Sequence, residues 1–194
     1  MHPSEAKQQL RDAITQRLSR MDEPARQAES RSVCRRVLEK LPPGPVTIAV
    51  YAALKSEVDL TFLIDELLKR ESTIFFPKYE GGKMVFRSAP SMSELTPGQF
   101  GILEPPSSNP LLDASTLDFA IVPARAYTKD GKRMGRGNGG YDIWIRAQRK
   151  LNPKTQFWGV CFEAQLVDDV PMEAHDERVD VVVTQRGTLS RVEG

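Results

Sequence analysis

Short, mostly apolar runs alternate along this chain of 194 residues with segments of helical periodicity, and this alternation restricts the possible folds strongly. The runs are Val46–Tyr51, Thr73–Phe76, Phe119–Pro123, Phe157–Phe162 and Val179–Thr184. Such runs are typical of parallel strands that are buried on both faces and joined by helices. The sequence therefore predicts an α/β fold, with a mostly parallel sheet covered on both faces, and residues 1–194 forming a single domain.

The periodic segments and turn residues predict the remaining elements. Helices are expected over 4–20, 24–40, Asp59–Leu68 and Tyr141–Leu151. Pro77 is expected to end its strand, and Met84–Arg87 to form another strand beyond a glycine turn. Residues 88–116 are rich in Pro, Ser and Gly, which indicates a long ordered loop.

The composition argues against several classes of protein. A net charge of +1 gives no general attraction to nucleic acid or to an anionic membrane, so any basic site must be local. The sequence contains no apolar run of the length that spans a bilayer. Cys34 and Cys161 form no disulfide or metal pattern, which favours a cytoplasmic protein.

Glycine is concentrated at the start of the last predicted helix. Five of the 13 glycines lie within residues 131–140, at Gly131, Gly135, Gly137, Gly139 and Gly140. Glycine allows a close approach to a ligand, and a helix start offers free N–H groups with a positive dipole end. Together they predict an anion site, most often for phosphate. Basic side chains in the same loop favour this interpretation, namely Lys129, Lys132, Arg133 and Arg136.

Other interpretations of this loop remain open. Gly135, Gly137 and Gly140 satisfy the dinucleotide pattern G-x-G-x-x-G, and Glu163 lies at about the distance expected for a ribose-binding acid. The long charged loop after the strand and the short remaining chain argue against that fold. The loop lacks the Gly-Lys-Ser/Thr ending of a Walker A motif. It also fits a flexible surface loop.

The other candidate residues have structural interpretations when each is taken alone. Asp142, in the first turn of its helix, is either a partner of the helix dipole or a ligand for Mg²⁺ beside phosphate. Lys7 and Arg11 lie one helical turn apart and fit a solvated stripe. Residues 83–87 alternate like a half-exposed strand. His175 has no sequence neighbour at metal-ligand spacing.

Taken in order, these motifs resemble those of the 5-formyltetrahydrofolate cyclo-ligase family over nearly the whole chain. The loop from Gly131 to Asp142 is similar to the family signature G-x-R-L-G-x-G-x-G-Y-Y-D, with Gly140 at the position of the first tyrosine. The other matching segments are Lys7-x-x-Leu10-Arg11, Tyr51 with Glu57-Val58-Asp59, Phe76-Pro77-Lys78, Met84-x-Phe86, Gly101-Ile102-Leu103-Glu104-Pro105, Val122-Pro123, Gln165-Leu166, Pro171, His175-Asp176, Asp180 and Thr184.

The resemblance implies a three-layer Rossmann-like fold and an enzyme that uses Mg-ATP. The family converts 5-formyltetrahydrofolate to 5,10-methenyltetrahydrofolate through a phosphorylated formyl group, releasing ADP and phosphate. The residues expected to bind ATP are Lys7, Arg11, Arg133, Gly135, Arg136, Gly137, Asn138, Gly139, Gly140 and Tyr141. Those expected to bind the folate are Arg11, Tyr51, Glu57, Met84, Phe86 and Tyr141.

The same resemblance implies roles in catalysis and metal binding. Lys7 and Arg136 are the expected catalytic residues, acting through their charge. Asp142 and Asp176 are the expected ligands of Mg²⁺. The substrate is expected with or without a polyglutamate tail, and the protein as a monomer or weak homodimer without nucleic-acid or membrane partners.

Two alternatives belong to other functional classes. Gly140 leaves out a ring that could wall the folate or nucleotide pocket, which fits a non-catalytic or shifted-substrate binding relative. The formal glycine pattern fits a dinucleotide-dependent oxidoreductase that binds NAD(P).

Overall fold

A computed structural model of the chain describes residues 3–98 and 101–190. These residues contain four α-helices, α1 (Pro3–Ser19), α2 (Glu23–Lys40), α3 (Thr61–Lys69) and α4 (Gly140–Leu151). The strands are β1 (Thr47–Ala49), β2 (Thr73–Glu80), β3 (Lys83–Ser88), β4 (Thr96–Pro97), β5 (Leu103–Glu104), β6 (Phe119–Val122), β7 (Ala126–Tyr127), β8 (Arg133–Met134), β9 (Gln156–Val160), β10 (Val181–Thr184) and β11 (Gly187–Ser190). None of the helices in these residues combines the length and the apolar composition of a membrane span.

Seven strands form the central sheet in the order β11-β10-β9-β6-β1-β2-β3. The five inner strands are parallel, whereas β3 and β11 pair antiparallel at the two edges. The predicted α/β fold with a mostly parallel sheet is therefore confirmed.

Alternate residues of the strands pack against helices on opposite faces of the sheet. Ile48 of β1 belongs to the apolar cluster that also contains residues of α1, α2 and α3. Its neighbour Ala49 belongs to a second cluster with Ile145 of α4. Successive side chains of a strand point to opposite faces, so strands covered on both sides are apolar throughout. The three layers of the prediction follow from this pattern.

The structure corrects the expectation that Pro77 ends its strand. β2 continues to Glu80, and Pro77 pairs with Phe86 of β3. Pairing between β1 and β2 reaches only Phe75, so beyond that point β2 has a ladder partner on one side. A residue without an N–H is tolerated at such an edge. The longer strand carries Tyr79 toward the start of α4.

Several short elements lie where the sequence predicted only loops. Within 88–116, β4 and β5 form a two-stranded antiparallel sheet. After β6, strands β7 and β8 form a hairpin that leads into residues 135–140, the glycine segment. Two helix starts also shift, because α3 begins at Thr61 and α4 at Gly140. Asp59 still supports the start of α3, since its carboxylate accepts from Thr61 N at 2.9 Å.

Candidate active site

A cavity of about 340 Å³ lies beyond the carboxyl ends of β1 and β6. Tyr51 and Ala52 follow β1, Pro123 and Ala124 follow β6, and all four line the cavity. Open α/β sheets bind their ligands at this edge. The other walls come from α1, from the outer part of β2 with β3, from the glycine segment and from the loop after β9.

The glycine segment wraps around one side of the cavity and ends in the N-terminus of α4. Gly137 and Gly139 have φ values of 104° and 68°, a region that disfavours other residues. A Cβ on Gly137 would lie 3.3 Å from the guanidinium of Arg11. Gly139 is the N-cap residue and Asp142 lies in the first turn of α4. Because Gly139, Tyr141 and Asp142 line the cavity, the positive end of the helix dipole faces it.

Arg133 is the most deeply buried cation of the cavity. Its Nη2 donates to Asp142 Oδ1 at 2.6 Å, and 2% of its side chain is exposed. The same carboxylate oxygen accepts from Glu177 N at 3.0 Å. Among the described residues, Arg133 Nε and Tyr141 Oη are buried without a hydrogen-bond partner. Asp142 therefore does more than complement the helix dipole, because it compensates a buried charge.

Lys7 joins the first helix to a loop near the end of the chain. Its Nζ lies 2.6 Å from both Glu173 Oε2 and Asp176 Oδ2. Burial by itself would lower the pKa of Lys7, but hydrogen bonds to Asp176 and Glu173 outweigh it, and the pKa is raised. The pKa of Asp176 is lowered although burial opposes this, since Lys7 and Glu173 N bond its charged form. The hydrogen bond with Lys7 also lowers the pKa of Glu173, so all three groups are charged at neutral pH.

The other two predicted cations tie the glycine segment to its surroundings, Arg11 from α1 and Arg136 from within the segment. Arg11 Nε donates to Gly135 O at 3.2 Å. Arg136 Nη2 donates to Glu57 Oε1 at 3.2 Å, and Glu57 Oε2 accepts from Leu54 N at 2.9 Å. Glu57 is thereby held at the cavity wall by two bonds.

The far side of the cavity is less polar. Met84, Ile102 and the ring of Tyr141 line it. Phe86 is buried behind this wall, where its ring stacks on Trp144 at 4.1 Å between centroids and meets Tyr141 edge-on at 6.5 Å. A flat, partly apolar ligand ring would fit between these side chains and the carboxylate of Glu57.

The structure brings most of the predicted site residues together. Those that line the cavity are Lys7, Arg11, Tyr51, Glu57, Met84, Arg133, Gly135, Arg136, Gly137, Asn138, Gly139, Tyr141, Asp142 and Asp176. The cavity lining does not include Gly140 or Phe86. Lys132 pairs with Asp169 instead, because residues 128–132 form the far end of the β7–β8 hairpin and point away from the site.

Four polar residues of the cavity were not predicted. Tyr79 and Glu104 reach it because β2 continues beyond Pro77 and β5 packs beside it. Glu173 and His175 come from the loop that contains Asp176. Sequence spacing offered His175 no metal-ligand partner, but the fold of this loop supplies two. Ligand atoms of Glu173, His175 and Asp176 all lie within 4.8 Å of one another.

Comparisons with known proteins agree on one family. The model of the 5-formyltetrahydrofolate cyclo-ligase family matches residues 3–185. The 5-formyltetrahydrofolate cyclo-ligase of Mycolicibacterium smegmatis is 30% identical over 194 residues, covering 95% of this chain and 97% of that protein. The structure of Aquifex aeolicus 5,10-methenyltetrahydrofolate synthetase gives a TM-score of 0.80 at 32% identity, covering 97% of this chain and 94% of that one.

The same architecture extends to a more distant structure. The 5,10-methenyltetrahydrofolate synthetase of Mycoplasma pneumoniae gives a TM-score of 0.74 at 20% identity, covering 92% of this chain and 98% of that chain. At this identity the likeness concerns the fold alone. The family model covers nearly the whole chain, and the relatives and the glycine signature agree with it. The chain therefore belongs to the 5-formyltetrahydrofolate cyclo-ligase family.

Proposed function

We propose that this chain cyclises 5-formyltetrahydrofolate to 5,10-methenyltetrahydrofolate, with ATP converted to ADP and phosphate. The observation that carries the proposal is the convergence of α1 and the glycine segment on one cavity. Lys7 and Arg11 of α1 line it together with Arg133 and Arg136. The bond from Arg11 to Gly135 joins residues that are 124 positions apart in the chain. A set of cations beside a helix N-terminus suits a triphosphate.

The chemistry requires activation of a poor leaving group, the formyl oxygen. The γ-phosphoryl group passes to that oxygen and ADP leaves. N-10 of the folate then attacks the formyl carbon and loses its proton, and the C–O bond breaks to release phosphate. Phosphoryl transfer depends on positioning and on charge neutralisation more than on a strong base. We assign Lys7 and Arg136 to neutralising the transferred group, and Arg11 and Arg133 to holding ATP.

The acidic residues of the cavity fit a magnesium ion. Asp142 and Asp176 offer carboxylate oxygens, which Mg²⁺ prefers, and both line the cavity beside the cations that we assign to ATP. Within the protein each is paired with one of those cations, Arg133 or Lys7. Phosphate oxygens would compete for these cations and leave the carboxylates for the metal. When bound, Mg²⁺ would offset charge on the phosphates.

We assign the folate ring to the less polar side of the cavity. Tyr51 is fixed there by a bond from its hydroxyl to Val58 O at 3.0 Å, and Glu57 presents its carboxylate next to it. The carboxylate would accept hydrogen bonds from the pterin, while Met84 and Tyr141 border the ring. Phe86 would act one layer behind, by holding Tyr141.

We further propose that residues 1–194 work as one domain in the cytoplasm, as a monomer or weak homodimer. Both apolar clusters pack on the same sheet, which supports a single unit. Cys34 and Cys161 are both free and buried, as suits a reducing compartment. Sedimentation at several concentrations measures the assembly state.

The test is the absorbance of the methenyl product. Protein, Mg-ATP and 5-formyltetrahydrofolate together should produce it, and omission of ATP or Mg²⁺ should abolish it. Binding of 5-formyltetrahydrofolate without product would instead select the non-catalytic relative. Binding of NAD(P) in place of ATP would select the oxidoreductase and overturn the proposal.

A further inference from the structure

The phenol of Tyr79 occupies the space beside Gly140 at the start of α4. A Cβ on Gly140 would lie 2.6 Å from Tyr79 Oη, closer than real Cβ contacts come. The next atoms would be Tyr79 Cζ at 3.7 Å and Asn138 Oδ1 at 3.8 Å, which are ordinary contacts. The hydroxyl of Tyr79 is therefore what excludes a side chain at position 140.

The backbone does not require glycine at this position. Gly140 is the first residue of α4, and its φ is outside the positive range in which Gly137 and Gly139 lie. A side chain is therefore compatible with the backbone at this position. In this chain a tyrosine from β2 fills the space instead.

Tyr79 is also linked to the helix start through one amide. Asn138 Nδ2 donates to Tyr79 Oη at 3.1 Å, and Asn138 Oδ1 accepts from Gly140 N at 3.3 Å. Burial and the charge of Glu104 raise the pKa of Tyr79, so its hydroxyl is neutral at neutral pH. The same residue lines the cavity, where Asn138 is its hydrogen-bond partner and Met84 of the apolar side is its pair in the β2–β3 ladder.

We propose that Tyr79 binds the folate and forms a wall at that end of the cavity, in the space that a side chain at position 140 would otherwise occupy. Its place between the glycine segment and the apolar side puts its ring along the path from the phosphate subsite to the pterin subsite. The inference rests on the proposed function for the identity of the ligand. It adds Tyr79 to the residues that contact the folate.

The test is a double-mutant cycle with Gly140→Ala and Tyr79→Phe. Gly140→Ala should displace the phenol and raise the Kd for 5-formyltetrahydrofolate about tenfold, as overpacking by roughly 1.4 kcal/mol does. Tyr79→Phe loses the bond to Asn138 and should raise the Kd for 5-formyltetrahydrofolate about fivefold. The double variant should equal Tyr79→Phe within about twofold, because without the hydroxyl the nearest ring carbon lies 3.7 Å from the new methyl group.

Additional measurements separate a binding role from a structural one. The Tyr79→Ala variant should raise the folate KM while the ATP KM and the unfolding temperature stay near wild type. The overlap at 140 involves only the end of a flexible side chain, so Gly140→Ala should also fold normally. The inference would be overturned if Tyr79→Ala bound the folate as tightly as wild type, or if Gly140→Ala had no effect on the Kd. It would also be overturned if the Kd of the double variant rose by the product of the two single changes.

Calorimetry with 5-formyltetrahydrofolate alone keeps this inference separate from the proposed function. A wild type that binds the folate and shows the coupling but forms no methenyl product would refute the activity and leave the role of Tyr79 intact. A wild type that forms product with no coupling between the two positions would refute only the role of Tyr79. A wild type that does not bind the folate would refute both.

Discussion

The cavity and the outer surface of α3 each contain a lysine with its Nζ 2.6 Å from a carboxylate oxygen, but the two pairs differ in every other respect. Lys7 and Asp176 have side chains 10% and 9% exposed and are 169 residues apart. Lys69 and Glu66 are 70% and 34% exposed and lie three residues apart on one helix. Distance alone therefore says little about the role of an ion pair. The buried pair costs desolvation energy, whereas the surface pair forms locally and is screened by water.

Replacing the lysine of each pair should give the largest contrast. On the role proposed for Lys7, Lys7→Ala would remove charge-assisted contacts to phosphate, and we expect kcat/KM to fall roughly 10- to 150-fold, corresponding to about 1.5–3 kcal/mol. Lys69→Ala should change kcat/KM less than about twofold, because exposed pairs contribute little. Steady-state kinetics with both substrates measure this. Equal losses in the two variants would remove the distinction.

Removal of the charge of Asp142 should affect both metal use and folding. Asp142→Asn should raise the Mg²⁺ concentration for half-maximal rate by about tenfold or more. It should also cost about 1–3 kcal/mol of unfolding free energy, since Arg133 is buried against it. Asp12→Asn, an exposed control on α1, should change neither. An unchanged Mg²⁺ dependence in Asp142→Asn would exclude Asp142 from the metal site.

Arg11 tests whether α1 takes part in the site through more than one residue. Arg11→Ala should raise the KM for ATP, for folate or for both by roughly tenfold, at the lower end of the range for loss of one charge-assisted contact. Arg11→Lys should rescue only partly, because lysine lacks the planar fork of the guanidinium. Arg17→Ala, exposed on the same helix, serves as the control. If Arg11→Ala kept the wild-type KM values for ATP and folate, Lys7 would be the only residue of the two through which α1 contributes to the site.

The smallest effect concerns a buried acid outside the cavity. Burial raises the pKa of Glu29 above its ordinary value of 4.5, while its carboxylate accepts from Glu163 N at 2.6 Å. The native state therefore binds more protons than the unfolded state between 4.5 and the raised pKa, so stability falls as pH rises through that window. Glu29→Gln should flatten this segment of a stability–pH curve, and the exposed control Glu39→Gln should not. If the stability of the wild type did not change with pH in this window, the raised pKa of Glu29 would be contradicted.

The sequence predicted those features that depend on local pattern. Apolar runs predicted the inner strands, and glycine density located the loop that borders the cavity. The course of β2 beyond Pro77 depends on which neighbouring strand stops first, and a single sequence does not contain that information. Tyr79 was missed for this reason.

Residues brought together by tertiary contacts were also hard to predict. Glu173 reaches Lys7 across 166 residues, and His175 acquires its carboxylate neighbours only through the folding of its own loop. The hairpin β7–β8 places Arg133 at the cavity and Lys132 outside it, paired with Asp169, although the two are adjacent in sequence. The family resemblance supplied the site roles of Lys7, Asp176 and Glu57, whereas helical spacing alone fitted Lys7 to a solvated stripe.

The most direct test of the central claim follows the formyl oxygen. We propose that the paired charges of the cavity serve to transfer a phosphoryl group from ATP to that oxygen. With 5-formyltetrahydrofolate labelled with ¹⁸O in the formyl group, the released phosphate should carry one ¹⁸O atom for each methenyl product formed. Unlabelled phosphate with ¹⁸O appearing in water would contradict the account, because the formyl oxygen would then have left without being phosphorylated.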